Sequence, residues 1–286
     1  MGKDSKISWT THTYNPWIGC HKVSPGCKHC YAETLVMRMG RVFSIVRRAA
    51  PATFNAPLKW KTPKIRDFPE VPTYVFTCSL SDFFHEDADP WRDEAWEIIR
   101  RTPHLTYQIL TKRPERIAEH LPNPDLCFLC GSRNLFDDGG ICSLSSDGHF
   151  YWPWPNVWLG TSVENQIYAE KRISQLVNVP AVVHFLSCEP LLGPIYFGFQ
   201  SERVPWDGVP GRAYDAVRLG LLRHIEWVIV GGESGPDYRK MEIEWARSIR
   251  DQCRAAGVPF FGKQVSASRP EARMPDDLDI REMPNV

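Results

Sequence analysis

Short apolar runs rich in β-branched and aromatic residues recur along the 286-residue chain, most of them followed by a stretch with the three- and four-residue apolar spacing of a helix. The runs are residues 73–78 (TYVFTC), 106–111 (TYQILT), 157–161 (VWLGT), 182–188 (VVHFLSC), 227–231 (WVIVG) and 259–263 (PFFGK). Residues 7–10 near the start bring the expected number of strands to about seven. Near-continuous apolarity suits strands covered on both faces, and alternation with helices gives a parallel sheet. Helical spacing is clearest over residues 91–101, 113–120, 166–177 and 243–256. The fold expected is α/β, a partial or irregular (β/α) barrel of the TIM type.

Polar or glycine-containing clusters stand where each run ends: Ser79-Leu-Ser81-Asp82, Lys112-Arg113-Pro114, Ser162-Val-Glu164-Asn165, Glu189-Pro-Leu-Leu-Gly193, Gly232-Glu233-Ser-Gly235 and Gln264. A parallel α/β barrel builds its active site on that face, from the loops leaving the strands. One polar βα loop is ordinary; recurrence at six strands points to a shared pocket.

Lys plus Arg and Asp plus Glu both total 34, so the formal charge of zero gives no global electrostatic case for a nucleic-acid partner. The start carries no apolar run of signal-peptide length, and no window approaches the roughly 20 apolar residues that span a bilayer. A soluble, cytoplasmic chain with no membrane partner is expected; oligomeric state is not legible. In a reducing compartment, clustered cysteines are more often metal ligands than disulfides. Six of the nine fall in two groups, Cys20/Cys27/Cys30 and Cys127/Cys130/Cys142.

The second group lies in residues 121–155, too long for a βα loop and too short to fold unaided, so a structural metal is the expected stabiliser. Cys127-x2-Cys130-x11-Cys142-x6-His149 matches a closed tetrahedral zinc site; an auxiliary iron–sulfur cluster or an unmetallated loop stay open. Residues 1–120 and 156–286 then form the barrel and 121–155 an insert. The aromatic run 150–155 (FYWPWP) suits burial against the barrel, or stacking of unpaired bases. Arg47, Arg48, Arg100, Arg101, Lys112 and Arg113 are candidates for a phosphate-binding rim.

Cys20-x6-Cys27-x2-Cys30 lies on a Gly/Pro-containing loop that enters a helix near Cys30. Three thiolates can hold three corners of a [4Fe–4S] cube and leave the fourth iron open, as cleavage of S-adenosylmethionine (SAM) requires. The start of the next helix adds a favourable dipole for an anionic cluster. Zinc on the same thiols with His21 or His29 uses the same residue types.

The segments WTTHTYNPWIGCHKVSPGCKHCYAE, FTCSLSDFFHEDA, ILTKRPERI, VWLGTSVEN, FLSCEPLL and VIVGGESG resemble a phage- and bacteria-associated family of radical-SAM-like proteins of unknown function. The resemblance covers most of the chain outside residues 121–155, and the six-residue gap between the first two cysteines departs from the usual three. It implies a barrel of the radical SAM kind, a [4Fe–4S] cluster on Cys20, Cys27 and Cys30, and SAM split to a 5′-deoxyadenosyl radical. Carried across by strand order, the SAM amino-group contact falls on Thr77, Ser79, Ser81 and Asp82, and the ribose contact on Ser162, Glu164 and Asn165. Ser162 or Asn165 as a helix cap is an equal reading. Lys112 and Arg113 are candidates for the SAM carboxylate or a substrate phosphate. Gly231, Gly232 and Glu233 flank adenine or substrate, and Glu189 and Lys263 are further pocket candidates.

The leading expectation is a radical SAM oxidoreductase, transferase or lyase served by an electron donor such as flavodoxin or ferredoxin, modifying or repairing a nucleic-acid component. The alternative is a zinc-containing nucleic-acid-binding module on a barrel without catalysis. A zinc-dependent hydrolase lacks the His- and carboxylate-rich strand end it needs.

Overall fold

The computed structural model describes residues 2–61, 72–123, 127–129, 151–198, 220–270 and 272–285. Seven strands form one sheet in the order β1-β4-β5-β6-β7-β8-β9: His12–Tyr14 (β1), Thr73–Thr77 (β4), Leu105–Thr111 (β5), Val157–Ser162 (β6), Val183–Cys188 (β7), Trp227–Gly231 (β8) and Phe260–Gln264 (β9). Trp17–Ile18 (β2) and Arg47–Arg48 (β3) pair antiparallel beside it. The helices are Tyr31–Arg38 (α1), Pro51–Phe54 (α2), Asp89–Arg100 (α3), Gln166–Leu176 (α4) and Ile243–Ala256 (α5). This is the βα architecture of a partial (β/α) barrel, as expected, with β1 and β9 as edges. No helix among the described residues is long and apolar enough to cross a membrane.

The chain divides into two compact units. The first comprises Met1–His21, Ala32–Leu159 and Val179–Val182; the second comprises Lys22–Tyr31, Gly160–Asn178 and Val183–Val286. In the first, β1 pairs with β4 (Tyr14 opposite Thr77) and β4 with β5 (Thr77 opposite Ile109), both parallel. In the second, β7 pairs with β8 (Cys188 opposite Val230) and β8 with β9, both parallel. Every residue of β7 and β8 is buried, which is why these runs read as continuous apolar sequence. Each fully buried Val, Ile, Leu or Phe among them contributes about 1.5–3 kcal/mol relative to exposure. Gly160 admits the ring of Phe185, whose atoms would lie 2.5 Å from any Cβ there.

Two elements differ from expectation. The first strand is His12–Tyr14, not residues 7–10. Those residues form a turn (Thr10 N–H to Ile7 O, 3.2 Å) that seats Trp9 against Phe76 at 4.6 Å. The Thr10 hydroxyl accepts the Phe76 N–H at 2.9 Å, so a side chain stands in for a ladder carbonyl. Residues 113–120 form two 3-10 turns, Pro114–Arg116 and Ala118–His120, in place of a helix. Arg113 is non-helical (φ −124°), and Arg116 turns back to Phe84 O and Asp89.

Candidate functional site

In the first unit the loop after β4 begins at Cys78, held at φ 66°, a conformation a non-glycine residue adopts rarely. Its N–H donates to Tyr14 O at 2.7 Å, and burial pushes its thiol pKa up. Asn15 fixes the next turn: its amide donates to Ser79 Oγ (3.0 Å) and its Oδ1 accepts the Leu80 N–H (2.8 Å). Ser81 Oγ donates to Trp17 O, and Thr77 Oγ1 to Val75 O. The hydroxyls of Thr77, Ser79 and Ser81 therefore already serve the loop itself.

Asp82 is buried and ties this loop to the end of β5. Its Oδ1 accepts from Thr111 Oγ1 (2.6 Å) and the Phe84 N–H (3.0 Å), its Oδ2 from the Lys112 N–H (2.9 Å). The Arg113 guanidinium lies 3.4 Å from the same carboxylate and 3.5 Å from Glu86, and donates to Cys20 Sγ at 3.5 Å and to His21 O at 3.2 Å. Burial opposes its charge, but Asp82 and the Cys20 sulfur hold its pKa above the ordinary value. A guanidinium N–H on a sulfur favours the thiolate, the form that binds metal. His21, His85 and Glu86 also bring three ligand-type atoms within 4.8 Å of one another. Arg113 already supplies the positive charge there, and His85 Nδ1 accepts the Asp87 N–H at 3.1 Å, so the cluster reads as an ion-pair network.

In the second unit the Cys27–Cys30 segment is anchored to the carboxyl ends of two strands. After β6, fully buried Glu164 accepts from Ser24 Oγ at 2.6 Å and from Arg172 Nη1 at 3.0 Å. Arg172 supplies the partner that a buried carboxylate needs. Gly26 passes so close that a Cβ would lie 2.5 Å from Glu164 Oε1. Ser24 Oγ is 3.7 Å from Cys27 Sγ. After β8, Glu233 is gripped by the Arg239 guanidinium and N–H (2.8 Å), and its Oε2 lies 3.1 Å from His29 Nδ1. Burial alone would raise its carboxyl pKa, but the Arg239 and His29 hydrogen bonds hold it below the ordinary value.

Asn165 caps α4, its Oδ1 accepting the Tyr168 N–H at 3.3 Å, and Ser162 O receives Arg172 at 2.8 Å. Glu189 and Lys263 pair at 2.5 Å. Gly231 allows Glu189 to pass at 3.2 Å from a would-be Cβ, and Gly232 has the Ser266 backbone where a side chain would go. Close packing within the chain thus explains these two glycines. None of the described cysteines is in a disulfide, and Cys20, Cys27 and Cys30 are each partly exposed.

Within residues 121–155, Cys127 is buried, whereas Cys130, Cys142 and His149 lie outside the described residues. Trp154 is fully buried against Trp96 (5.9 Å) and Phe128 (5.5 Å), so burial accounts for it without a nucleobase. The arginine rim is not free for phosphate as a set: Arg100 pairs with Glu97 and reaches Phe128 O, Arg48 pairs with Glu94, and Arg113 is buried. Asn15, Arg172 and Arg239 were not legible as site residues; the only sequence signal was a lone amide or cation near a strand-end cluster.

Two solved chains of spore photoproduct lyase variants are similar in structure. One is 12% identical over 88% of this chain, with a TM-score of 0.43; the other is 13% identical over 90%, with a TM-score of 0.46. This chain spans 63% of the length of the first and 75% of the second. No curated protein sequence matches. The family model described as "Protein of unknown function (DUF5131)" matches residues 4–279, and the chain belongs to that family.

Proposed function

We propose that the chain is a radical SAM enzyme in which Cys20, Cys27 and Cys30 hold a [4Fe–4S] cluster. The observation that carries the reading is where the cysteine loop is tied. In the first unit Arg113, after β5, bonds Cys20; in the second, Glu164 after β6 and Glu233 after β8 bond Ser24 and His29. Within each unit taken by itself, the part of the loop it contains is bonded by a residue that follows a strand's carboxyl end, where (β/α) barrels carry their functional groups. The donor set fits: three uncrosslinked, partly exposed thiols, one accepting a guanidinium N–H. Bound there, the cluster would supply the single electron that splits the SAM sulfonium.

The protein's own groups hold and orient. Arg113 donates a guanidinium N–H to the Cys20 sulfur. Glu164 fixes Ser24 and the turn through Gly26, and Arg239 braces Glu233 against His29 between two of the thiols. Thr77, Ser79, Ser81 and Asp82 shape the loop after β4, where backbone groups rather than these side chains would meet SAM. The Glu189–Lys263 pair supplies both charges at the ends of β7 and β9. For the insert, the reading is a structural zinc on Cys127, Cys130, Cys142 and His149.

Anaerobic optical and EPR spectra of reconstituted protein test the cluster. Cys27→Ala is expected to lose the [4Fe–4S] signal, and retention of the full signal sinks the ligand assignment. Metal analysis should return about four iron per chain beside one zinc. With SAM and dithionite the wild type should release 5′-deoxyadenosine; none, beside an active control enzyme, removes the radical reading.

A further inference from the structure

The end of α1 and the segment that follows it concentrate exposed apolar side chains. Four of the ten exposed large apolar side chains among the described residues, Met37, Met39, Val42 and Ile45, fall within nine consecutive positions. Apolar side chains scattered singly over a surface need no explanation, but a concentration of this kind marks an interaction site. Residues 36–48 (VMRMGRVFSIVRR) also carry four arginines and no carboxylate. Arg48 is engaged, pairing with Glu94 and lying over Phe54 at 3.9 Å. Arg38, Arg41 and Arg47 are exposed and form no ion pair among the described residues.

The segment is built into the fold. Gly40 (φ 70°) turns the chain out of α1, Phe43 and Val46 are buried, and β3 pairs with β2. It is also fastened to the first cysteine. The Cys20 N–H donates to Phe43 O at 2.9 Å, and His21 Nε2 lies 2.8 Å from Ser44 O. Gly19 (φ 110°) lets it come that close, since a Cβ there would lie 2.6 Å from Ile45 O. The backbone of residues 43–45, which carries the exposed Ile45 and follows the exposed Val42, therefore lies directly against Gly19, Cys20 and His21.

We propose that Met37–Ile45, rimmed by Arg38, Arg41 and Arg47, is the docking surface for an acidic one-electron carrier protein. The proposal rests on the cluster reading above and names the partner of that site. Charge complementarity selects an acidic partner, because the three exposed guanidiniums have no counter-charge among the described residues. Aliphatic and methionine side chains with an arginine rim match a protein–protein contact; a nucleic-acid strand would call for aromatic platforms. In the step this surface serves, the reduced carrier is oxidised by one electron, the cluster is reduced by the same electron, and no bond forms or breaks.

The test uses the reconstituted chain with flavodoxin as the acidic carrier, and reads complex formation by titration at low and raised salt. Arg38→Glu, Arg41→Glu and Arg47→Glu combined should weaken binding about tenfold or more and flatten its salt dependence. Val42→Ser with Ile45→Ser should also weaken it, by a change that leaves charge alone. Circular dichroism confirms that both variants are folded. Reduction by flavodoxin should slow in each variant, while reduction by dithionite, which needs no docking, stays at the wild-type rate. Unchanged flavodoxin affinity in both folded variants overturns the proposal. So does loss of single-stranded DNA binding with flavodoxin binding intact. A wild type that takes up no iron–sulfur cluster defeats the proposed function instead, and the binding titration still decides the docking surface.

Discussion

Asp82 receives three hydrogen bonds, from Thr111, Phe84 and Lys112, while buried. Leaving those donors without an acceptor is costly, so Asp82→Ala is expected to lower unfolding stability by about 2–4 kcal/mol in urea titrations. Asp82→Asn, which keeps an acceptor oxygen, should lose less. The position was legible as a polar residue at a strand end, and its resemblance-based assignment was a SAM contact. Its bonding shows a brace between β4 and β5, because which donors converge on a carboxylate depends on two strands brought side by side. Glu164 and Glu233 follow the same logic. Both stood out in sequence, yet Arg172 and Arg239, which make their burial tolerable, lie eight and six positions away in ordinary-looking text. Arg172→Ala leaves Glu164 buried without its ion pair and should cost about 3–5 kcal/mol, read as a fall in the urea midpoint.

Among the elements, α5 was read from sequence with both ends as observed, since its amphipathic spacing ends at Gly257 in the left-handed conformation (φ 69°). Its outer face is clamped by Asp277, which accepts from Arg247 Nε (2.9 Å) and Arg250 Nη1 (2.7 Å). Arg247 first, and then Arg250, depress the Asp277 carboxyl from 3.8 to about 2. A depressed carboxyl adds stability that is complete above its unfolded value and is lost as pH falls through the folded one. Wild type should therefore exceed Asp277→Asn in thermal midpoint at neutral pH, with the gap closing between about pH 4 and pH 2. A gap of constant size over that range would contradict the assignment. The first strand was misplaced because Trp9 and Thr10 have β propensity, and propensity does not say which neighbours will take the ladder. Residues 113–120 carry helical spacing, but Arg113 and Arg116 spend their side chains on other segments, and short 3-10 turns satisfy those bonds.

At the scale of the molecule, Cys20, Cys27 and Cys30 lie outside the seven-stranded sheet and are partly exposed. Replacing Cys20, Cys27 and Cys30 together by serine should abolish iron binding yet change the stability of the metal-free chain by about 1 kcal/mol or less. Far-UV circular dichroism and urea unfolding check this; collapse of the fold would make the three residues structural. The sequence by itself determined that strands and helices alternate, that the strands are buried on both faces, and that polar clusters follow them. Those features depend on local periodicity and composition, which a chain carries before it folds. Only the tertiary structure decided which strand-end groups are spent on one another: Asp82 on β5, Glu164 on Arg172, Glu233 on Arg239. It also brought the backbone of Phe43 onto Cys20, with Arg38, Arg41 and Arg47 nearby in sequence forming no ion pair among the described residues. Such pairings depend on distances between segments far apart in the chain, and no spacing rule encodes those distances.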